Sequence, residues 1–125
     1  MLYFDDLFFV QNTEATENGF VTYLLCNPSH PVYRAHFPGS PITPGACLLQ
    51  TAGVLLQQHL GRPLHLTSSK NIKYLNVLVP AEGKEVRYAF SNITETDGGC
   101  KVQLVIADAS SVYSKMSLSY SYEPV

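Results

Sequence analysis

Charged residues are scarce in this chain of 125 residues: 14% are Asp, Glu, Lys or Arg, whereas 46% are hydrophobic. Tryptophan is absent, but eight tyrosines and six phenylalanines favour a sheet-rich fold. The net charge of −2 and the lack of a Lys/Arg cluster argue against nucleic-acid binding. We expect a single domain over residues 1–125, with extra apolar surface buried between subunits.

Cysteine is also rare, and Cys26, Cys47 and Cys100 have no metal-ligand spacing. Free thiols are typical of the reducing cytosol, so we expect a cytoplasmic protein without a metal. No phosphate-binding or dinucleotide-binding motif is present, so we expect no cofactor. The longest apolar run, residues 46–60, is interrupted by glutamines and too short to span a bilayer. The N-terminal MLYFDDLFFV lacks the basic region and cleavage site of a signal peptide.

Acidic residues are missing from the whole stretch between residues 18 and 81. That stretch contains Arg34, Arg62, Lys70 and Lys73, so it is locally positive within an acidic chain. A positive patch of this kind can steer an anionic partner or a phosphate-bearing ligand towards the protein. An uneven distribution of charge in a segment poor in charge gives the same pattern.

The pattern of apolar residues predicts a strand, a loop, a long helix and then several strands. Residues 27–45 contain five of the eight prolines and are predicted not to be helical. Thr43 is the predicted N-cap and Pro44 the first position of a helix that continues to Leu60 and stops at Gly61. This helix is apolar nearly all round, which indicates a buried helix. The predicted strands are residues 19–26, 65–79 (one or two strands), 85–92, 100–107 and 112–122. One apolar helix against an antiparallel sheet makes an α+β fold.

The segment HFPGSPITPG, residues 36–45, comes immediately before the predicted helix. Prolines and glycines restrict this loop, so His36 is held with little loss of backbone entropy. Gly45 lies in the first helical turn, where unpaired N–H groups and the helix dipole suit a carbonyl oxygen that gains negative charge. The alternative is that His36 only forms a hydrogen bond within a turn.

With this architecture, HFPGSPITPG resembles the HFPGxPxxPG loop of the β-hydroxyacyl-acyl-carrier-protein dehydratases of bacterial fatty-acid synthesis. Residues 70–88, KNIKYLNVLVPAEGKEVRY, are similar to the strand, connection and strand that follow in that family. The resemblance implies the hotdog fold, an antiparallel sheet wrapped around one long buried helix. The N-terminus departs from it, because MLYFDDLFFV replaces the family's helix and its HRxPFLLVD-like segment.

The resemblance implies elimination of water from a 3-hydroxyacyl thioester to give the trans-2-enoyl product. His36 would remove the C2 proton, and the N–H of Gly45 would bind the thioester carbonyl. The family's acid follows the His by fourteen residues, on the helix of the neighbouring subunit, and that position is Gln50 here. Substrate contacts are expected from Phe37, Gly45, Ala46 and Gly53. The stripe Ala46, Gln50, Gly53 and Gln57 either lines an acyl tunnel or allows close packing of helix and sheet.

A glutamine amide cannot act as a general acid near neutral pH. The chain is therefore a dehydratase that uses Gln50 or an acid from elsewhere, one subunit of a hetero-oligomer, or a protein that binds acyl groups without catalysis. A hotdog thioesterase is a further alternative. The resemblance implies acyl carrier protein as partner, through its phosphopantetheine thioester, and Arg34, Lys70 and Lys73 are candidate contacts. It also implies a homodimer or higher homo-oligomer, or pairing with a second dehydratase-like subunit.

Overall fold

The computed structural model describes residues 6–35 and 39–123. The elements are β1 (Phe8–Thr16), β2 (Gly19–Cys26), α1 (Val32–Ala35), α2 (Gly45–Leu60), β3 (Leu64–Ser68), β4 (Lys73–Tyr74), β5 (Glu85–Glu95), β6 (Gly99–Ala107) and β7 (Val112–Tyr122). All strand pairs are antiparallel, in the order β1-β2-β5-β6-β7-β3, and β4 pairs with another part of β7. The predicted α+β architecture of an antiparallel sheet and one long helix is confirmed.

The core lies between α2 and the inner face of the sheet. Strand β2 buries every second residue, and β5, β6 and β7 bury alternate residues over most of their length. This period of two turns the apolar side chains of each strand to one face. The core therefore combines buried residues of α2 with buried residues of four strands, among them Leu48, Ala52, Leu55, Leu56, Phe20, Leu24, Val86, Phe90, Val102, Leu104, Met116 and Leu118.

One end of α2 differs from the prediction and the other follows it. Pro44 is the N-cap, with extended backbone angles, and Thr43 makes no capping bond. The prediction of Thr43 as N-cap was wrong because its buried hydroxyl lies 2.8 Å from that of Tyr33, and its N–H donates to Leu78. At the other end Gly61 adopts a left-handed conformation with φ of 72°, which stops the helix as predicted.

Helix α2 is buried along one face only in the single chain. The residues of that face are Cys47, Leu48, Ala52, Leu55 and Leu56. Ala46 and Gln50 are exposed on the other side, whereas His59, exposed near the end of the helix, stacks on the buried ring of Phe20 at 3.9 Å. The sequence predicted a buried helix, and the single chain buries one face of it. Within the described residues, no helix has the length and apolar character needed to cross a membrane.

The proline-rich loop contains one helical turn, α1, where the sequence predicted none. Pro31 precedes the turn, at a position where its missing N–H is not needed for a helical hydrogen bond. The side chain of His30 accepts a hydrogen bond from the N–H of Val32 at 3.0 Å, which caps the turn. Val32 and Tyr33 are buried together with Leu7, so tertiary packing stabilises α1.

Two strand regions also differ from the sequence prediction. Strand β1 was not predicted, because nearly all of its residues are exposed at the edge of the sheet and show no apolar alternation. The predicted strand region 65–79 contains only the short β3 and β4, separated by a turn in which Asn71 has a φ of 59°. The chain leaves the sheet after Tyr74, close to the interruption predicted at Asn76.

Candidate functional site

His36 and Phe37, the predicted base and a predicted substrate contact, lie outside the described residues. Both ends of their loop are described. Helix α1 ends at Ala35, before these residues. Gly39, after them, has a φ of 88°, a conformation that favours glycine. A Cβ built on Gly39 meets no atom within 4 Å, so the backbone conformation, not packing, requires glycine here.

Gly45 begins α2 and lies against the ring of Tyr74. A Cβ built on Gly45 would be 2.7 Å from Cζ of Tyr74 and 2.8 Å from its hydroxyl oxygen. Both distances are shorter than a Cβ makes to non-bonded atoms in real proteins. Partial burial raises the pKa of Tyr74, so its hydroxyl keeps the proton that it can donate. The phenol group of Tyr74 therefore lies beside the first turn of α2. The sequence predicted only the helix N-terminus at this place.

Gln50 lies on the exposed side of α2, between two grooves that both include it. The β1 groove, which separates α2 from the start of β1, measures about 590 Å³. The β3 groove, on the other side of α2, measures about 680 Å³. Residues of the β1 groove are Asp6, Leu7, Phe8, Val10, Leu24, Gln50, Thr51, Val54, Leu55 and Gln58. Residues of the β3 groove are Leu49, Gln50, Gly53, Val54, Gln57, Leu64, Leu66 and Tyr120.

The stripe of small and amide side chains serves more than one purpose. Gln50, Gly53 and Gln57 share the β3 groove, whereas Ala46 is exposed near the start of the helix and lines neither groove. Gln57 accepts a hydrogen bond from the N–H of Leu64 at 2.8 Å, which anchors the start of β3. The ring of Tyr120 is 3.9 Å from a Cβ built on Gly53, so an alanine would fit there.

Asp6 brings a carboxylate to the same groove as Gln50. Asp6 was not predicted as a site residue because it lies far from Gln50 along the chain, outside the stretch that contains no acid. The one available signal was the pair of acidic residues in the otherwise apolar N-terminal segment MLYFDDLFFV. Folding brings this segment to α2 by pairing β1 with β2 at the sheet edge.

Among residues 6–35 and 39–123, no acid other than Asp6 lines the two grooves. A hydrogen bond from the hydroxyl of Tyr113, supported by the N–H groups of Ser110 and Ser111, lowers the pKa of Asp108 to about 2. Asp108 is therefore an ionised turn residue and has no proton to give near neutral pH. Asp97 lies in the exposed connection between β5 and β6.

The predicted carrier-protein contacts separate into two places. Arg34 is exposed in the last turn of α1. Lys70 shares a surface depression with Lys101, and Lys73 pairs through its backbone with Lys115 of β7. The two predicted lysines thus belong to a group of lysines over β4, β6 and β7, and Arg34 does not belong to that group.

Nucleophilic and metal chemistry find no support in the described part of the chain. Burial raises the pKa of Cys47 to about 11, so its thiol stays protonated. No group of three His, Cys, Asp or Glu side chains that could hold a metal ion occurs among residues 6–35 and 39–123.

The sequence matches a family of known proteins and a relative at moderate identity. The model of the ApeI-like family, ApeI dehydratase, matches residues 11–116. The 3-hydroxyacyl-[acyl-carrier-protein] dehydratase FabZ of Thermotoga neapolitana is 31% identical over 110 residues, which cover 84% of this chain and 78% of that protein.

Solved structures show the same fold. The dehydratase heterocomplex ApeI:P from Xenorhabdus doucetiae has a TM-score of 0.71 at 17% identity, covering 90% of this chain and 96% of that one. The putative thioesterase yhdA from Lactococcus lactis has a TM-score of 0.71 at 13% identity, covering 99% and 98%. At such identities the likeness concerns the fold alone, and it confirms the predicted hotdog fold.

Proposed function

Because this chain belongs to the ApeI-like dehydratase family, we propose that it removes water from a 3-hydroxyacyl thioester of acyl carrier protein and forms the trans-2-enoyl thioester. The observation that carries this proposal is the course of the motif. Its described part, residues 39–45, leads directly into the first turn of α2, and the next turn presents Gln50 to two grooves. A thioester at the start of α2 can extend its acyl chain along either groove.

In the proposed reaction, His36 removes a proton from C2 of the substrate. The thioester oxygen gains negative charge, which N–H groups at the start of α2 stabilise. The hydroxyl of Tyr74, which packs against Gly45, lies where it can donate a second hydrogen bond. The C3–O bond then breaks, the C2–C3 double bond forms, and the hydroxyl leaves as water once it receives a proton.

Gln50 holds the substrate hydroxyl in this proposal. Its amide donates a hydrogen bond but cannot give up a proton near neutral pH. Loss of one acid or base group typically lowers a rate by about 10²–10⁴. The proton must therefore come from another group, either in this chain or in a partner subunit.

The open face of α2 supports an assembly of subunits. Ala46, Gln50 and Gln58 are exposed in the single chain, although α2 has the apolar composition of a helix that other parts of a protein cover. We propose a homodimer or higher oligomer, or pairing with a second dehydratase-like subunit, since a related structure is named as a dehydratase heterocomplex. The proposal includes a cytoplasmic location, which the proposed carrier-protein partner and the free thiols support.

The test offers purified protein 3-hydroxyacyl and trans-2-enoyl thioesters, and follows the enoyl absorbance. Each assay is run with the chain alone and with a co-expressed second dehydratase-like subunit. We expect turnover in at least one of the two, and its loss in His36→Ala. Turnover that survives His36→Ala, or no turnover in either preparation, contradicts the proposal.

Binding without catalysis is the second candidate, and Gln50 at the acid position favours it. This alternative predicts that acyl thioesters bind but are not converted, and that Gln50→Glu creates activity in an inert protein. A thioesterase, as in the neighbouring putative enzyme from Lactococcus lactis, would release a free thiol, which a thiol reagent detects in the same assay.

A further inference from the structure

We propose that Asp6 supplies the proton that Gln50 cannot give, and that its carboxyl group acts on the departing C3 hydroxyl. This inference rests on the dehydratase function proposed above. Asp6 and Gln50 line the same groove beside α2, although they lie in distant parts of the sequence. An acyl substrate in the β1 groove would meet both side chains.

The composition of the β1 groove singles out Asp6. Leu7, Leu24 and Leu55 belong to its apolar wall, which suits an acyl chain. Its other polar residues besides Gln50 are Thr51 and Gln58. Thr51 donates its hydroxyl proton to the carbonyl of Cys47 at 2.8 Å, so it is engaged within the helix. Among the described residues of this groove, Asp6 is the one acid.

The backbone around Asp6 is held at two points. The side-chain amide of Asn27 donates to the carbonyl oxygen of Asp6 at 2.7 Å. The backbone N–H of Asn27 donates to the carbonyl of Leu7 at 3.2 Å. Leu7 is 1% exposed, and Asp6 has a φ of 63°, a left-handed conformation that Asp and Asn adopt more readily than most residues. The carboxylate is thus attached to a fixed segment at the groove.

The same segment adjoins the loop of the predicted base. Leu7 packs with Val32 and Tyr33 of α1, which ends one residue before His36 in the sequence. Asn27, which holds Asp6, begins the proline-rich loop. The position of Asp6 therefore depends on contacts with the loop that carries His36, and not on contacts with α2.

The proton balance of the step is simple. His36 of one subunit gains the C2 proton and the C3–O bond breaks. The departing oxygen takes the proton of Asp6 from the subunit that contributes Gln50, and leaves as water. The amide of Gln50 donates a hydrogen bond that aims the hydroxyl at Asp6. Proton exchange with solvent then restores both groups.

The experiment compares Asp6→Asn with Asp97→Asn in the preparation that turns over trans-2-enoyl thioesters. Asp97 is an equally exposed acid in the turn between β5 and β6. We expect Asp6→Asn to lower kcat by about 10²–10⁴ and Asp97→Asn to leave it unchanged. The double variant Asp6→Asn/Gln50→Glu should have a kcat at least tenfold higher than that of Asp6→Asn, because it restores a carboxyl to the groove. Circular dichroism and Tm verify that each variant is folded.

The outcomes separate the two proposals. Normal kcat in Asp6→Asn, in an enzyme that His36→Ala inactivates, overturns the role of Asp6 and leaves the dehydratase function standing. Loss in Asp6→Asn without recovery in the double variant also overturns it, because the carboxyl then acts through structure. A wild type that is inactive in every preparation overturns the dehydratase function and this inference with it.

Discussion

Among the described residues, the atoms nearest to a Cβ built on Gly45 belong to the ring of Tyr74. The contact is too close for any Cβ, yet Tyr74 is 55% exposed and its side chain can rotate away. A larger residue at position 45 would therefore move Tyr74 rather than unfold the protein. The glycine matters for the surface presented to a thioester, since both the helix N-terminus and the phenol lie there.

Gly45→Ala should leave the free energy of unfolding within about 1 kcal/mol of wild type, because alanine favours helix and the displaced ring is flexible. The same variant should lower kcat/KM for enoyl thioesters at least tenfold. Urea unfolding and the absorbance assay measure the two effects. Tyr74→Phe keeps the ring and removes only the hydroxyl, so it should also lower kcat/KM, by the contribution of that one hydrogen bond. Full activity in Gly45→Ala contradicts the proposed carbonyl site.

Asp108 makes stability depend on pH in acid. Its pKa of about 2, caused first by the hydrogen bond from Tyr113, lies below the value of about 3.9 in an unfolded chain. The stabilisation is therefore complete above about pH 5 and is lost as the pH falls towards 2. Asp108→Asn should be less stable than wild type near neutral pH, and the difference should shrink between pH 4 and 2. Urea unfolding at several pH values measures it, and a constant difference contradicts the argument.

At the scale of elements, α2 is tied to the sheet by buried polar contact as well as by its apolar packing. The hydroxyl of Tyr88, in the middle of β5, donates to the carbonyl of Leu48 at 3.0 Å. Tyr88 is fully buried, so water cannot replace this bond if it is lost. The contact fixes the position of the first half of α2, which includes Gln50, relative to the sheet.

Tyr88→Phe should cost about 0.5–1.5 kcal/mol of unfolding free energy, the usual net value of a buried hydrogen bond. Tyr122→Phe provides the control, because that hydroxyl bonds Glu95 at 2.6 Å on the exposed surface. Its loss should change the free energy of unfolding less than the loss of the Tyr88 hydroxyl does. Equal effects of the two substitutions, measured by urea unfolding, would show that the Tyr88 bond does not hold α2.

The elements that sequence reasoning predicted are those whose local pattern agrees with their packing. Strand β2 alternates, β7 alternates, and Gly61 stops α2 through its own conformation. Helix α1 and strand β1 escaped prediction because the first depends on packing against Leu7 and the second on pairing with a neighbour at an exposed edge. Local patterns carry no trace of such long-range contacts.

The residues of the candidate site likewise fall into some that the sequence predicted and some that it did not. Its contiguous part, the motif and the first turns of α2, could be identified from the sequence because the residues are consecutive. Tyr74 and Asp6 could not, since each reaches the site by folding from another part of the chain. The prediction for His36 and Phe37 stays a prediction, because they lie outside the described residues.

For the whole molecule, exposed apolar side chains beside α2 support the proposed assembly of subunits. Residues 75–79 leave the sheet after β4 and expose Leu75, Val77 and Val79, with Val77 62% exposed. They lie next to the start of α2, since Leu78 between them accepts a hydrogen bond from Thr43. An exposed apolar surface next to an open helix face is typical of a subunit interface.

Val77→Glu should shift the protein towards smaller assemblies without unfolding it, because a buried unpaired charge opposes association and the side chain is exposed in the single chain. Size-exclusion chromatography with light scattering measures the mass. Gln103→Glu places the same charge on the exposed outer face of β6 and should leave the mass unchanged. An unchanged mass in Val77→Glu would place the interface elsewhere.

The three cysteines have a consequence for how the whole molecule can be observed. All are buried, and burial raises the pKa of each thiol, so an alkylating reagent in solution has almost no thiolate to attack in the folded chain. Each cysteine is therefore labelled only after the part of the fold that buries it opens. The sulfurs lie in β2, α2 and β6, and the rate at which each acquires its label therefore reports how readily that part of the fold opens.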